Sequence, residues 1–362
     1  MRIGINTSFP HRSPEEWADT LVKMNCRAVS FPVDYTAPVS QIDAYVKAAR
    51  ERDIKIAEVG IWKSPFVPDE KIAREVRRRS EEQLRLADYI HAACCVNVSG
   101  AFGEVWSGCY AENFTRESYQ KNVEFVQELC DQVKPTNTYF TLEPMQWMVP
   151  DSPEQYLQFI RDVNRDRFAV HMDVINFIKD PDTYTHKKEL IERSFALLGP
   201  YIKSCHIKDC KLMDGTTVMI REVPIGEGTM DLVTYLTEIA KLDPDMPVLV
   251  EHLPELSAYG KGVDYLNAMP ESKLDLRPVK EEAGHCGAEA FLIRNTTRAQ
   301  REQIVRDSLG YGEFGCDDCG DGFDMYWPYI EGKKELKEIT MEYQARYVID
   351  MDEKPRRGCP IG

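Results

Sequence analysis

The sequence has no apolar run approaching the roughly 18 residues that cross a bilayer, so no membrane-spanning helix is expected. Positive charge is in deficit. Lys+Arg is 45 against 60 Asp+Glu, a formal net charge of −15. That balance repels a polyanion unless a local basic patch overrides it. The best basic candidate, Arg74 to Arg79, lies in a run also rich in Glu and reads as a solvated helix face. No nucleic-acid partner is expected. A Gly-x-Gly-x-x-Gly turn after the first strand is also missing, which argues against an open dinucleotide-binding sheet. The opening Met1-Arg-Ile-Gly-Ile-Asn-Thr7 reads as a strand rather than a signal peptide. The 11 cysteines are odd in number and scattered, without a disulfide framework, and point to a reducing cytoplasm. Asn97-Val-Ser, Asn113-Phe-Thr and Asn295-Thr-Thr are accordingly read as chance glycosylation matches.

What is present is an ordinary globular composition, 43% hydrophobic and 29% charged, arranged in a regular rhythm. Short β-branched runs alternate with amphipathic helical stretches. Strands are expected over 3–9, 28–31, 54–62, 95–99, 139–142, 168–172, 202–207 and 247–250. Helices are expected between and after them, with Ser13-Pro-Glu-Glu16 and Ser152-Pro-Glu-Gln155 as matching N-terminal capping signals. A Gly-rich link is expected between the strand at 202–207 and the helix at 232–242. Eight strand–helix units point to an α/β fold, a (β/α)₈ TIM barrel over residues 1–268. Residues 269–362 break the rhythm and read as a Cys-containing C-terminal extension for packing, oligomerisation or partner contact. One helix is expected there, Lys333 to Tyr347.

In such a barrel, function sits at the C-terminal ends of the strands. The fifth strand ends in Thr141-Leu-Glu143, the sixth in His171-Met-Asp173-Val-Ile-Asn176, the seventh in Cys205-His206-Ile-Lys208-Asp209, and the eighth in Glu251-His252. Each charge follows an apolar run, where it is expensive unless paired or bound to a metal. Three carboxylates and one imidazole at one rim suit a divalent cation: Mn²⁺, Mg²⁺ or Co²⁺, with Zn²⁺ also admissible.

Four stretches now resemble a known family, the xylose isomerase-like barrels that include sugar phosphate isomerases and epimerases. They are Leu142-Glu-Pro-Met-Gln-Trp147, Ala169-Val-His-Met-Asp-Val-Ile-Asn176, Ser204-Cys-His-Ile-Lys-Asp209 and Val250-Glu-His-Leu-Pro254. Ile225-Gly-Glu-Gly-Thr-Met-Asp231 is similar to the family's Gly-rich turn. The resemblance implies one divalent metal, Mn²⁺ first, on Glu143, Asp173, His206 and Glu251. It also implies that Glu143 and Glu251 form the acid/base pair that moves a proton beside a sugar carbonyl through a metal-stabilised enediolate. Arg221 resembles the family's substrate-oxygen contact. His171 is placed on the same strand face as Asp173, as support for the metal or as a satisfied core histidine. Trp147 and Trp106 are candidates to stack on a sugar. His252, by strand alternation, is expected to face away.

The family's apurinic endonucleases carry a His where this chain has Asn176, and an Asp-x-His where it has Ile220 and Glu222, so a three-metal nuclease site is not expected. Two related branches remain as alternatives. One is a metal-dependent lyase, the catalytic subunit of a C-glycoside deglycosidase acting on 3-keto C-glycosides with a small second subunit. The other is inosose dehydration. A non-catalytic sugar- or protein-binding barrel is the reading from a different class. The expected partners are a carbohydrate or glycoside substrate and further copies of the chain. In the extension, Cys286, Cys316, Cys319 and Cys359 offer a possible structural zinc set, with only one Cys-x-x-Cys pair to support it.

Overall fold

The computed structural model describes residues 1–269, 274, 291–308, 325–336, 338 and 339. The chain divides into two units, Met1–Leu276 and Arg277–Gly362. In the first, eight parallel strands close into a barrel. They are β1 (Arg2–Ile5), β2 (Ala28–Ser30), β3 (Lys55–Gly60), β4 (Cys94–Val98), β5 (Phe140–Glu143), β6 (Phe168–Met172), β7 (Ile202–Ile207) and β10 (Pro247–Val250). The neighbour order around the barrel is β1-β10-β7-β6-β5-β4-β3-β2. The chain is thus a (β/α)₈ TIM barrel, and every residue of β4, β5, β6 and β10 is buried, as expected for strands covered on both faces.

Several helices start where short polar side chains cap them. Ser13 Oγ accepts from Glu16 N–H at the helix Pro14–Lys23, and Ser152 Oγ accepts from Gln155 N–H at Pro153–Val163. The return half of the expected capping box differs. Glu16 accepts from the N–H of Arg12, and Gln155 from that of Asp151, each one residue before the cap. In both cases the longer side chain satisfies the donor ahead of the helix.

Three details change the sequence reading. Strand β1 stops at Ile5 rather than Phe9, so Asn6 leaves the sheet and enters the rim. The link after β7 is a hairpin, β8 (Asp209–Leu212) antiparallel to β9 (Ile220–Val223), with Lys211 opposite Arg221. Its strands are four residues long and largely exposed, so no apolar pattern marked them. Short helical turns at Val174–Phe177 and Pro181–Thr185 also follow β6.

The second unit is described only in part. Its helix Arg298–Ser308 was not expected, and a short helix spans Trp327–Ile330. Val305, Tyr329, Ile330 and Ile339 form a small apolar cluster there. The Arg301 side chain is buried and donates to the carbonyls of Ile330 and Thr296. Most of the expected helix 333–347 and all four candidate zinc ligands, Cys286, Cys316, Cys319 and Cys359, lie outside the described residues. The seven described cysteines are free thiols, and all but Cys109 are buried. No described helix is long and apolar enough to cross a membrane.

Candidate active site

The barrel brings Glu143, Asp173, His206 and Glu251 together at the C-terminal ends of β5, β6, β7 and β10. One ligand atom from each lies within 4.8 Å of the others, and all four residues are buried. His206 Nδ1 is 3.0 Å from Glu143 Oε2 and 3.1 Å from Glu251 Oε2. Yet these three atoms are buried without a hydrogen bond of acceptable geometry. Buried polar atoms are almost always satisfied. Acceptors that converge in this way, one of them 2.8 Å from the Lys208 ammonium, describe a cation's place, and the donor set of three carboxylates and one imidazole fits a divalent metal.

Two residues missed in the sequence complete the centre. Glu58, in the middle of β3, is fully buried, and its Oε2 is 3.1 Å from His206 Nε2. With a proton on Nε2 shared with Glu58, Nδ1 would present its lone pair to the other three candidate ligands. Lys208 enters from just beyond β7. Its ammonium lies 2.8 Å from both Asp173 Oδ2 and Glu251 Oε2, and 3.3 Å from Glu222 Oε1. Asn176 stands at the position that differs from the nucleases. It donates to Glu143 Oε1 at 2.7 Å and to Asp173 Oδ2 at 3.2 Å, bracing the two carboxylates.

The electrostatics divide the two glutamates. Burial and the charge of Glu251 push the Glu143 carboxyl up to about 7, against the pull of His206 and Lys208. Burial also opposes the charge of Glu251, but His206 and Lys208 outweigh it and hold this carboxyl well below its usual range. The surrounding carboxylates outweigh burial and push the pKa of both His206 and Lys208 upward, the same pull that would favour a metal cation in place of a proton on His206 Nδ1. His171 goes the other way, because burial and the neighbouring His206 drive its pKa down. Its ring meets that of His206 edge-on at 4.1 Å, it has no exposure, and it sits beneath the centre rather than in the cavity.

Above this floor opens a cavity of about 390 Å³. Glu143, Glu251 and Asn6 line its base, and Trp106 and Trp147 its side, as candidates from sequence. Trp62 joins them. It sits at φ 52° just past β3, with its indole stacked over the His206 ring at 6.2 Å. His252 also lines the cavity, contrary to the alternation argument. The strand has ended at Val250, and a left-handed φ of 56° turns His252 back to bond Glu222 at 2.9 Å. Arg221 lies exposed on β9, with its Nε on Met219 Sδ, and does not line the cavity. The Gly-rich turn is fastened from below, where Asp209 accepts the N–H groups of Gly226, Gly228 and Met230, each at 3.0 Å. A Cβ on Gly228 would fall 2.1 Å from Asp209 Oδ1, so only glycine fits.

The family model of the xylose isomerase-like TIM barrel matches residues 18–269. The chain belongs to that family. A search of curated proteins found no match. Solved structures share the fold at low identity. A xylose isomerase-like TIM barrel protein from Mycobacterium smegmatis, in complex with magnesium, has a TM-score of 0.57 and 16% identity, covering 75% of this chain and 97% of its own. A D-psicose 3-epimerase, solved in the presence of D-fructose, has a TM-score of 0.56 and 13% identity, with 76% and 99% covered. A 3-keto-D-glucoside 4-epimerase from E. coli has a TM-score of 0.55 and 12% identity, with 74% and 99% covered.

Proposed function

We propose that the chain is a divalent-metal-dependent enzyme that moves a proton at a carbon beside the carbonyl of a sugar or sugar derivative, as an isomerase or epimerase does. The observation that carries this reading is the convergence of buried Glu143, Asp173, His206 and Glu251, with ligand atoms within 4.8 Å of one another, at the floor of an open cavity. Glu143, Asp173, His206 and Glu251 would hold the metal, with Mn²⁺ or Mg²⁺ suited to that donor set. When bound, the metal supplies Lewis-acid polarisation of the substrate's carbonyl oxygen.

The chain's own groups do the rest. Glu251, ionised beside His206 and Lys208, accepts the proton. Glu143, three strands away around the barrel and held up by burial, supplies a proton from another direction. Asn176 fixes the Glu143 carboxyl, and Trp62 shields the His206 ring. Elimination from a 3-keto glycoside starts with the same proton removal. The 3-keto-D-glucoside epimerase among the structural neighbours and the tryptophan-lined wall support keeping this lyase reading as the second one.

The test is exchange in deuterated water. Mn²⁺-loaded protein is incubated with D-fructose, D-psicose and a 3-keto glucoside, and the carbon beside the carbonyl is followed by NMR. Deuterium enters in the wild type and stops on chelation. Release of the aglycone would select the lyase. A Glu251→Gln protein exchanging at the wild-type rate would refute the assignment, and binding without any exchange would favour the non-catalytic barrel.

A further inference from the structure

The cavity above the centre has two unlike ends. Its base is carboxylate, while Trp62, Val98, Trp106, Met145 and Trp147 supply an apolar wall. Two of the indoles are set in place by the backbone. A Cβ on Gly60 would fall 2.1 Å from Trp62 Nε1, so the glycine lets this ring fold back over the strand end. Trp147 Nε1 donates to Ser107 O at 2.8 Å, which spends its one polar atom and leaves carbon surface for the cavity.

No lysine or arginine is among the described residues that line this space. The Lys208 ammonium, beside the floor, is already held by Asp173, Glu251 and Glu222. The lining His252 is paired with Glu222. Away from the metal position, a phosphate with a charge of about −1.5 to −2 would meet carboxylates and indoles, with no lysine or arginine among the described lining residues to offset it. The polar lining residues Asn6, Ser107, Glu143, Glu251 and His252 can serve the hydroxyls of one sugar ring, while the five apolar side chains offer a further surface on which hydroxyls would lose water without gaining partners.

We infer that the substrate is an unphosphorylated sugar bearing an apolar ring substituent: the sugar end faces Glu143 and Glu251, and the substituent lies on the wall of Trp62, Trp106 and Trp147. This rests on reading the cavity as the substrate site and narrows the substrate class within it. The preference is set before any chemistry, so it is visible in binding alone.

The experiment is calorimetric titration of the Mg²⁺-loaded full chain. The probes are methyl and phenyl β-D-glucosides, galactosides and mannosides, and the three matching hexose 6-phosphates. In at least one series, the phenyl glycoside should bind about tenfold or more tighter than the methyl glycoside, as burial of a ring-sized apolar group implies. The 6-phosphate should bind no tighter than the methyl glycoside. In Trp106→Ala the phenyl advantage should shrink severalfold. Tightest binding by a 6-phosphate, equal binding of phenyl and methyl glycosides, or no binding in any series overturns the inference, and none of these needs a variant to fold. A chain that prefers phenyl glycosides but exchanges no hydrogen keeps this substrate class and loses the proton-transfer reading. A chain that exchanges but prefers a 6-phosphate does the reverse.

Discussion

The Lys208 ammonium sits 2.8 Å from Asp173 Oδ2, in the midst of the carboxylates that would hold a metal. Five carboxylates, those of Glu58, Glu143, Asp173, Glu222 and Glu251, meet in this small volume, and among the described residues Lys208 is the ammonium paired with the last four. It acts as their internal counter-ion.

Removing it should therefore be costly in a metal-dependent way. Lys208→Met is expected to lose about 3–5 kcal/mol in EDTA, the scale for breaking a buried ion pair. The loss should be visibly smaller in saturating Mn²⁺, because the divalent charge replaces part of what was removed. Urea unfolding under both conditions measures this. An identical loss in both would mean that Lys208 and the metal do not share the same carboxylates.

Glu58 never touches the cavity, yet it is expected to control metal affinity. Its contact with His206 Nε2 fixes which ring nitrogen carries the proton. Glu58→Gln should weaken Mn²⁺ binding by about 10–100-fold. Titration calorimetry reads this directly, and unchanged affinity would show that the His206 ring is oriented by its packing alone.

Gly60 should be intolerant of a side chain for a reason visible in fluorescence. The added Cβ displaces the Trp62 indole, at about 1–3 kcal/mol for a local overpacking. Gly60→Ala should shift the tryptophan emission, and the shift should vanish when Trp62 is already Phe. A shift that survives in the Trp62→Phe background would locate the disturbance elsewhere.

At the opposite end of the barrel, Arg2 ties β1 to Asp245 and Asp53. Its hydrogen bonds hold both carboxyls below their usual value of 3.8. A lowered folded-state pKa adds stability above the unfolded value and loses it as pH falls through the folded one. Thermal melts should thus show Arg2→Met slightly less stable than wild type at pH 7. The gap should narrow below about pH 4 as the unfolded-state carboxyls protonate. A gap that is constant with pH would reduce Arg2 to a packing role.

The barrel was legible because its strands are apolar on both faces and its helices carry their caps in the sequence. The candidate ligands stood out because Glu143, Asp173, His206 and Glu251 each end an apolar run. Other groups obeyed different physics. Glu58 lies inside such a run, Ile56-Ala57-Glu58-Val59, and a charge there was itself the overlooked signal. Lys208 stood in the quoted His-Ile-Lys-Asp stretch, but nothing in spacing says that its stem bends back among carboxylates. Trp62 and His252 depend on left-handed backbone just past a strand end, where alternation no longer applies. The hairpin was hidden by its short, polar strands.

That hairpin leaves the barrel at Asp209 and returns to it through Glu222, and both ends are pinned. Asp209 grips the Gly-rich turn, while Glu222 bonds His252 and pairs with Lys208. Residues 213–219 hang between two fixed posts. Changes of length or composition there can be absorbed between the posts without disturbing the register of the floor. The fold thereby leaves this loop free to vary while the cluster it springs from stays in place.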